Sequence, residues 1–332
     1  MQKITREMLL DKAASLLENG TVNAVLGWNK GEFGYDVTPA LFKSAEKLKE
    51  NFVFGDFCGA NFSKYLVSKT DRFDGKILVF LKPCDTYSFN QLLTEHRFDR
   101  ENVYAVGIPC EGMADVSKVK ELVGEGICDV SSDGETLLVT TIYDDAPVAV
   151  NAKDVLLERC TNCKSKKHVA YDELIGDEGD VIASERFSEV ERLEAMTPDA
   201  RFAFWQNELS RCIRCNACRD ACPACTCEKC VFDNPSSGVE NKAPGGDFEE
   251  KLFHIIRAYH VAGRCTDCGE CSRVCPQNIP LHLLNRKFIK DINEFYGEYQ
   301  AGAEVGQRAP LVDYTTDDIE PGEATDRRGI DA

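Results

Sequence analysis

The stretch CIRCNACRDACP, Cys212 to Pro223, returns as CTDCGECSRVCP, Cys265 to Pro276. Each copy reads C-x2-C-x2-C-x3-C-P. Three thiolates two residues apart fit three corners of an iron–sulfur cubane on a short turn, while the fourth, followed by a helix-stopping proline, is directed away. In two-cluster proteins that fourth cysteine ligates the other cluster. The spacing therefore predicts one [4Fe–4S] cluster on Cys212, Cys215, Cys218 and Cys275, and a second on Cys265, Cys268, Cys271 and Cys222. Zinc is the alternative, since C-x2-C pairs also build closed four-cysteine sites. Zinc needs two pairs per site, whereas these are two quartets each ending in Cys-Pro. Two joined clusters form an electron relay.

The run is that of bacterial ferredoxins, but its setting is helical. Thr197-Pro198-Asp199 supplies an N-cap with proline in the first turn, opening a helix that carries Phe202, Trp205 and Leu209 into Cys212. Between the quartets lie 42 residues, among them a predicted helix over Phe248 to Val261. Its Leu252, Ile255, Ile256 and Tyr259 recur at helical spacing and are expected in the core. A compact bacterial ferredoxin has a shorter connection. Cys212 to Pro223, together with the helix leading through Gly263-Arg264-Cys265 to Pro276, resembles the helical two-cluster ferredoxin domain of succinate dehydrogenase iron–sulfur subunits and of the heterodisulfide reductase small subunit. That resemblance implies an α-helical dicluster ferredoxin domain over residues 197–300. Arg211, Arg214, Arg219, Arg264 and Arg273 nearby either stabilise the reduced, more negative clusters or are ordinary surface charges.

The preceding half alternates helical and strand signals, as an α/β domain of mainly parallel sheet with covering helices does. A helix is predicted over Arg6 to Glu18, then an apolar run Val22 to Leu26, a helical stretch Leu41 to Lys49, a strand Asn51 to Phe54 and a helix Gly59 to Ser68. Lys76 to Leu81 is the clearest strand, apolar through its centre as buried parallel strands are. It ends at Pro83-Cys84, with a helix expected over Ser88 to Glu95. Asn102 to Ile108 repeats the plan and ends at Pro109-Cys110. Ligands of open α/β sheets sit at such carboxyl ends. Gly126 to Val150 reads as shorter strands, with a hairpin signal at Ser131-Ser132-Asp133-Gly134. The α/β domain is placed at residues 1–170, an acidic linker at 171–196 and an extended acidic tail at 301–332.

Two single thiols at neighbouring strand ends, Cys84 and Cys110, and the C-x2-C pair Cys160 and Cys163 form a set for a third [4Fe–4S] cluster, against core cysteines or zinc. Leu78 to Asp85 (LVFLKPCD), Gly107-Ile108-Pro109-Cys110 and Cys160-Thr161-Asn162-Cys163 resemble the beta subunits of deazaflavin-reducing (coenzyme F-420) hydrogenases and formate dehydrogenases. The resemblance implies a [4Fe–4S] cluster in this domain and an FAD that exchanges hydride with the deazaflavin. Gly27, Gly31 and Gly34 do not have the G-x-G-x-x-G spacing of a dinucleotide fingerprint. Cys225, Cys227 and Cys230 form a C-x-C-x2-C run, which either binds a fourth cluster, with Cys58 or a non-cysteine group completing it, or is a set of shielded spare thiols. Cys128 reads as structural. His96, His168, His254, His260 and His282 show no paired metal spacing; His254 and His260 share a helix but lie on different faces.

Composition narrows the class. The chain has 332 residues, is 43% apolar and carries 17 cysteines at a formal charge of −17. That charge argues against a nucleic-acid surface, which needs clustered Lys and Arg. Met1 to Leu17 mixes charged residues with Leu at helical spacing, unlike a signal peptide. No apolar stretch approaches membrane-spanning length. A reducing cytoplasm with metal-bound thiolates is expected. The reading that follows is an electron-transfer subunit of a cytoplasmic anaerobic oxidoreductase complex. It would work between a flavoprotein, hydrogenase or formate dehydrogenase and a heterodisulfide-reductase-like or ferredoxin partner. The alternatives are a flavin-dependent subunit that splits hydride from deazaflavin or nicotinamide into single electrons, and a scaffold whose metals only hold the fold.

Overall fold

The computed structural model describes residues 4–70, 73–144, 146–163, 167–179, 185–234 and 247–311. Most of the acidic tail, 312–332, lies outside the described residues.

Helix α1 (Arg6–Glu18) starts where Thr5 Oγ1 accepts from Met8 N, and it buries Leu9, Leu10, Ala13, Ala14 and Leu16. Strand β1 (Ala24–Lys30) follows, then β2 (Val37–Phe42), α2 (Ala45–Asn51), β3 (Phe52–Val53), α3 (Ser63–Thr70), β4 (Ile77–Leu81), α4 (Pro83–Thr94) and β5 (Val103–Gly107). The helical stretch expected over Leu41 to Lys49 is split. Its first residues end β2, an antiparallel neighbour of β1 that tolerates Pro39 at the sheet margin, and the helix begins only after Ser44 caps Lys47 N. Helix α4 likewise begins five residues before the expected Ser88. Pro83 occupies its first turn and the Asp85 carboxylate accepts from Lys82 N at 3.2 Å, so the Pro-Cys pair opens the helix. Cys84 therefore sits in the first turn of α4.

After β5 come α5 (Val116–Val123), a small antiparallel sheet of β6 (Ile127–Ser132), β7 (Thr136–Thr141) and β8 (Val148–Asn151), and the short α6 (Glu158–Thr161). β9 (Glu173–Leu174) then returns to the main sheet, whose order is β2-β1-β4-β5-β9 with β3 also on β1. β1, β4, β5 and β9 pair in parallel. Every residue of β4 is buried, as a strand covered on both faces must be. Trp28, Phe52, Phe62 and Phe80 fill one side of it, with Phe80 5.7 Å from Phe52 and 6.2 Å from Trp28 between ring centroids.

The second half is helical: α7 (Ser188–Glu194), α8 (Pro198–Ser210), α9 (Ala217–Asp220), α10 (Asp247–Val261), α11 (Glu270–Arg273) and α12 (Leu281–Tyr296). Thr197 caps α8 as expected. The buried face of α10 differs from the expected one. Phe253, His254, Arg257, Ala258 and Val261 point inward, while Ile255 and Tyr259 are 45% and 64% exposed. Two polar residues on the inner face hid it from a hydrophobic-period reading.

The halves interlock through specific contacts. Ser88 Oγ meets Thr266 Oγ1 at 2.8 Å, and Glu95 accepts from both Nε and Nη2 of Arg264. Gly302 lies so close to α4 that a Cβ there would sit 1.9 Å from the Tyr87 carbonyl oxygen. Phe80→Ala removes the ring at the centre of the aromatic layer and is expected to cost about 3–5 kcal/mol. The denaturant midpoint of the purified chain measures it.

Candidate metal centres

The carboxyl ends of β4 and β5 deliver the first set of thiols. Cys84 in α4, Cys110 beyond β5, and Cys160 and Cys163 in and after α6 all line one cavity, and Cys268 of the second half lines it as well. His168 clamps the strand ends beneath it, its Nε2 lying 3.1 Å from the Leu81 carbonyl and 3.0 Å from that of Ile108. Burial lowers the pKa of His168. The sequence offered no spacing that would have singled this residue out.

Charge is arranged tightly around the cavity. Lys82, which lines it, is fully buried against Asp85 at 2.8 Å and also donates to the Ala60 carbonyl at 2.9 Å. Burial opposes its charge most, but Asp85 and the Cys84 sulfur together outweigh it and raise its pKa. Burial pushes the Cys84 thiol well above its ordinary value, with Asp85 adding to the effect. Arg159 is buried on the opposite side, donating to Glu270 Oε1 at 2.7 Å, to the Gly59 carbonyl at 2.5 Å and to the Cys268 carbonyl. Glu270 is shared with Arg273. Burial works against Arg159 also, but Glu270 and the thiols of Cys160, Cys84 and Cys268 hold it charged. A buried cation thus bridges the two halves beside two thiol sets.

The two quartets repeat in backbone as they do in sequence. Arg214 and Asn216 have φ of 53° and 62°, and the equivalent Asp267 and Gly269 have 59° and 64°. Left-handed residues on either side of the second cysteine turn each loop so that its thiols face one way; the Arg214 amide lies 3.4 Å from Cys212 Sγ. Cys212, Cys215, Cys218 and Cys275 line one cavity under Phe253 and His254. Cys222 lies with Cys265, Cys268 and Cys271, whose thiols burial raises and whose mutual charge raises them further. Asn285 Nδ2 donates to Cys271 Sγ at 3.6 Å. Cys275 thus lies with three cysteines of the first run, and Cys222 near three of the second.

Two further residues escaped that reading. Arg257 is buried, donates to the Cys218 carbonyl at 3.0 Å, and keeps its charge against burial because Cys222, Cys271, Cys218 and Cys225 surround it. His254 is 1% exposed, and neither ring nitrogen has a hydrogen-bond partner among the described residues. Burial, then Arg257 and Arg214, lower its pKa to about 3. By contrast, four of the arginines singled out in sequence are ion-paired: Arg211 with Glu208, Arg219 with Asp220 and Asp233, Arg264 with Glu95 and Arg273 with Glu270. Arg214 stacks 4.0 Å from the Phe253 ring centroid.

Cys225, Cys227 and Cys230 line another cavity, which Cys58 does not join. Cys58 is buried under the main sheet, and burial raises its thiol to about 12. Cys128 donates to the Thr140 carbonyl at 3.3 Å. Among the described residues no three His, Cys, Asp or Glu side chains draw together closely enough to hold a single metal ion. The set of Cys84, Cys110, Cys160 and Cys163 and the set of Cys212, Cys215, Cys218 and Cys275 each line a cavity. A cubane asks for that, because iron and sulfide stand between its ligands.

Fold and thiol sets together define an iron–sulfur protein with an α/β first half. Residues 208–279 match the family described as a 4Fe-4S dicluster domain, which implies two [4Fe–4S] clusters. The chain is distantly homologous to the beta subunits of F420-dependent formate dehydrogenases. It is 24% identical to "F420-dependent formate dehydrogenase subunit beta" of Methanocaldococcus jannaschii, over 83% of this chain and 86% of that protein. It is 23% identical to "F420-dependent formate dehydrogenase 1 subunit beta" of Methanococcus maripaludis, over 83% and 87%. A chain of the solved F420-reducing [NiFe] hydrogenase complex from Methanosarcina barkeri aligns at 12% identity and a TM-score of 0.35, over 63% of this chain and 91% of that one, too little to argue from. No described helix is long and apolar enough to cross a membrane.

Asp85→Ala would leave the Lys82 ammonium buried without its counter-charge. It is expected to cost about 3–5 kcal/mol, read as a lowered denaturant midpoint, whereas Asp56→Ala nearby should change little.

Proposed function

We propose that this chain is the electron-relay subunit of a formate dehydrogenase-like or hydrogenase-like oxidoreductase complex. It would hold three [4Fe–4S] clusters: on Cys84, Cys110, Cys160 and Cys163; on Cys222, Cys265, Cys268 and Cys271; and on Cys212, Cys215, Cys218 and Cys275. One observation carries the reading. The cavity of the first set is lined also by Cys268 of the second, and the second adjoins the third around Arg257. This adjacency supports an electron path from the first set through the second to the third.

The clusters would supply one-electron redox chemistry. The protein would set their order and offset their charge with the buried Arg159 and Arg257. A hydrogenase or formate dehydrogenase subunit would dock at one end, and a heterodisulfide-reductase-like subunit or ferredoxin at the other. A buried imidazole with no protein partner also fits this role. An unmade hydrogen bond costs about 1–3 kcal/mol, and a cluster sulfur in the cavity of Cys212 and Cys215 would accept from His254.

A second reading, a flavin-bearing subunit that splits hydride into electrons, has one observation in its favour. A cleft between the halves is lined by Tyr35 and Phe57, with Lys118, Arg159 and Arg273 balanced by Asp115, Glu121 and Glu158, and its aromatic faces would suit a planar ring. It lies beside the first and second thiol sets. One FAD per chain after anaerobic purification would favour it.

With the three sets loaded, iron analysis is expected to give at least about twelve atoms per chain with matching sulfide. Cys84→Ala with Cys160→Ala should remove about four of them; an unchanged count rejects the N-terminal cluster. His254→Leu should leave the iron content unchanged and lower one cluster's midpoint potential by about 40 mV, the loss of roughly 1 kcal/mol of hydrogen bonding to the reduced state. Redox titration followed by electron paramagnetic resonance reads that shift.

A further inference from the structure

The relay leaves three adjacent thiols unused. Cys225, Cys227 and Cys230 line one cavity, and the last turn of α10 brings His260 to its wall. Phe232 supports that imidazole at 6.4 Å between ring centroids. Cys225 N donates to the Cys222 carbonyl at 3.1 Å, so the cavity opens directly beside the second thiol set.

We propose that Cys225, Cys227, Cys230 and His260 hold a fourth [4Fe–4S] cluster, a branch from the cluster of Cys222. The C-x-C-x2-C spacing puts three thiols on one loop in reach of a common centre, and a fourth ligand must then come from elsewhere in the fold. Three carboxylates also line the cavity, but Asp220 and Asp233 are already ion-paired to Arg219, and Glu228 stands on the thiol loop itself. The imidazole of His260 arrives from a separate, rigid helix. Iron–sulfur centres accept imidazole in place of thiolate.

Charge around the cavity supports an anionic centre. Lys64, reaching across from α3, donates to the Cys225 carbonyl, and buried Arg257 faces both Cys222 and Cys225. An iron–sulfur cluster with three thiolates would place its negative charge between these two cations. Cys227 is exposed, so a reagent in solution reaches this loop.

The test uses the full chain, purified anaerobically and loaded with ferrous iron and sulfide. Cys227→Ala with Cys230→Ala is expected to lose about four iron and four sulfide relative to the unaltered chain, with the remaining clusters kept. In the loaded unaltered chain, iodoacetamide should fail to label Cys227 until a chelator strips the iron. Reduced protein should show a nitrogen hyperfine coupling that His260→Ala removes. Labelling of Cys227 in the loaded chain, an unchanged iron count in the double variant, or zinc recovered in place of iron each overturns the cluster. A nitrogen coupling that survives His260→Ala overturns the ligand assignment. The labelling needs no variant, so a double variant that does not fold leaves the result decided. Loss of iron on removing Cys84 and Cys160 is a separate count, so failure of the N-terminal cluster and failure of this one read differently.

Discussion

Buried negative charge requires buried positive charge within a few ångströms, and that requirement organises this molecule. Thiols gather at three adjoining places, and at each junction between them stands a buried guanidinium: Arg159 between the first and second sets, Arg257 between the second and third. An isolated buried cation would be as costly as the thiolates it serves. Arg159 meets that cost with Glu270 and two carbonyls, and Arg257 with the Cys218 carbonyl and the surrounding sulfurs. Arginine suits the position better than lysine, because its fork reaches several acceptors at once and stays charged when buried.

The same contacts fix how the two halves sit together. Arg159 comes from α6 while Glu270 and Cys268 belong to the second half, so the electrostatic core of the thiol array is also the interface. Ser88 with Thr266 and Glu95 with Arg264 extend it along α4, the helix whose first turn carries Cys84. A shift of either half would therefore separate a cation from its thiols as well as breaking hydrogen bonds.

Much of the fold was legible because its signals are local. The repeated quartets, the apolar run of β4 and the Thr197 cap each declare themselves within a dozen residues. What stayed hidden depends on partners distant in sequence. β2 carries Pro39 and is a strand only because β1 accepts it at the margin, and α10 buries Arg257 and His254 on a face that a hydrophobic count assigns to solvent. The arginines within and beside the quartets drew notice, yet the guanidiniums buried among the thiols are Arg257, eight residues before Cys265 on the inner face of α10, and Arg159, next to Cys160, which reaches Gly59 in its own half and Glu270 and Cys268 in the other. Burial and partners distant in sequence, which a local reading does not see, set these two apart. The Pro-Cys pairs were placed correctly at strand ends, but that Cys84 would open α4 rather than precede it required the Lys82 and Asp85 contact.

The two cysteine loops also bear on how the fold is held. Each requires two left-handed residues, and three of the four are not glycine; for such residues this conformation costs roughly 1–2 kcal/mol apiece. Their side chains are held elsewhere. Arg214 is stacked on Phe253, and Asp267 is clasped between Arg186 at 2.7 Å and Arg286 at 3.0 Å, which lowers its pKa despite burial. Among the described residues the Asn216 side chain has no comparable clasp, so that loop leans harder on what its thiols hold. Because metal binding and folding share one free energy when ligands are pre-turned by the backbone, strain left in the loop is offset by the cluster. The first quartet should accordingly be the one whose local structure depends more on being filled, and the second the one whose backbone is set in advance by its ion pairs.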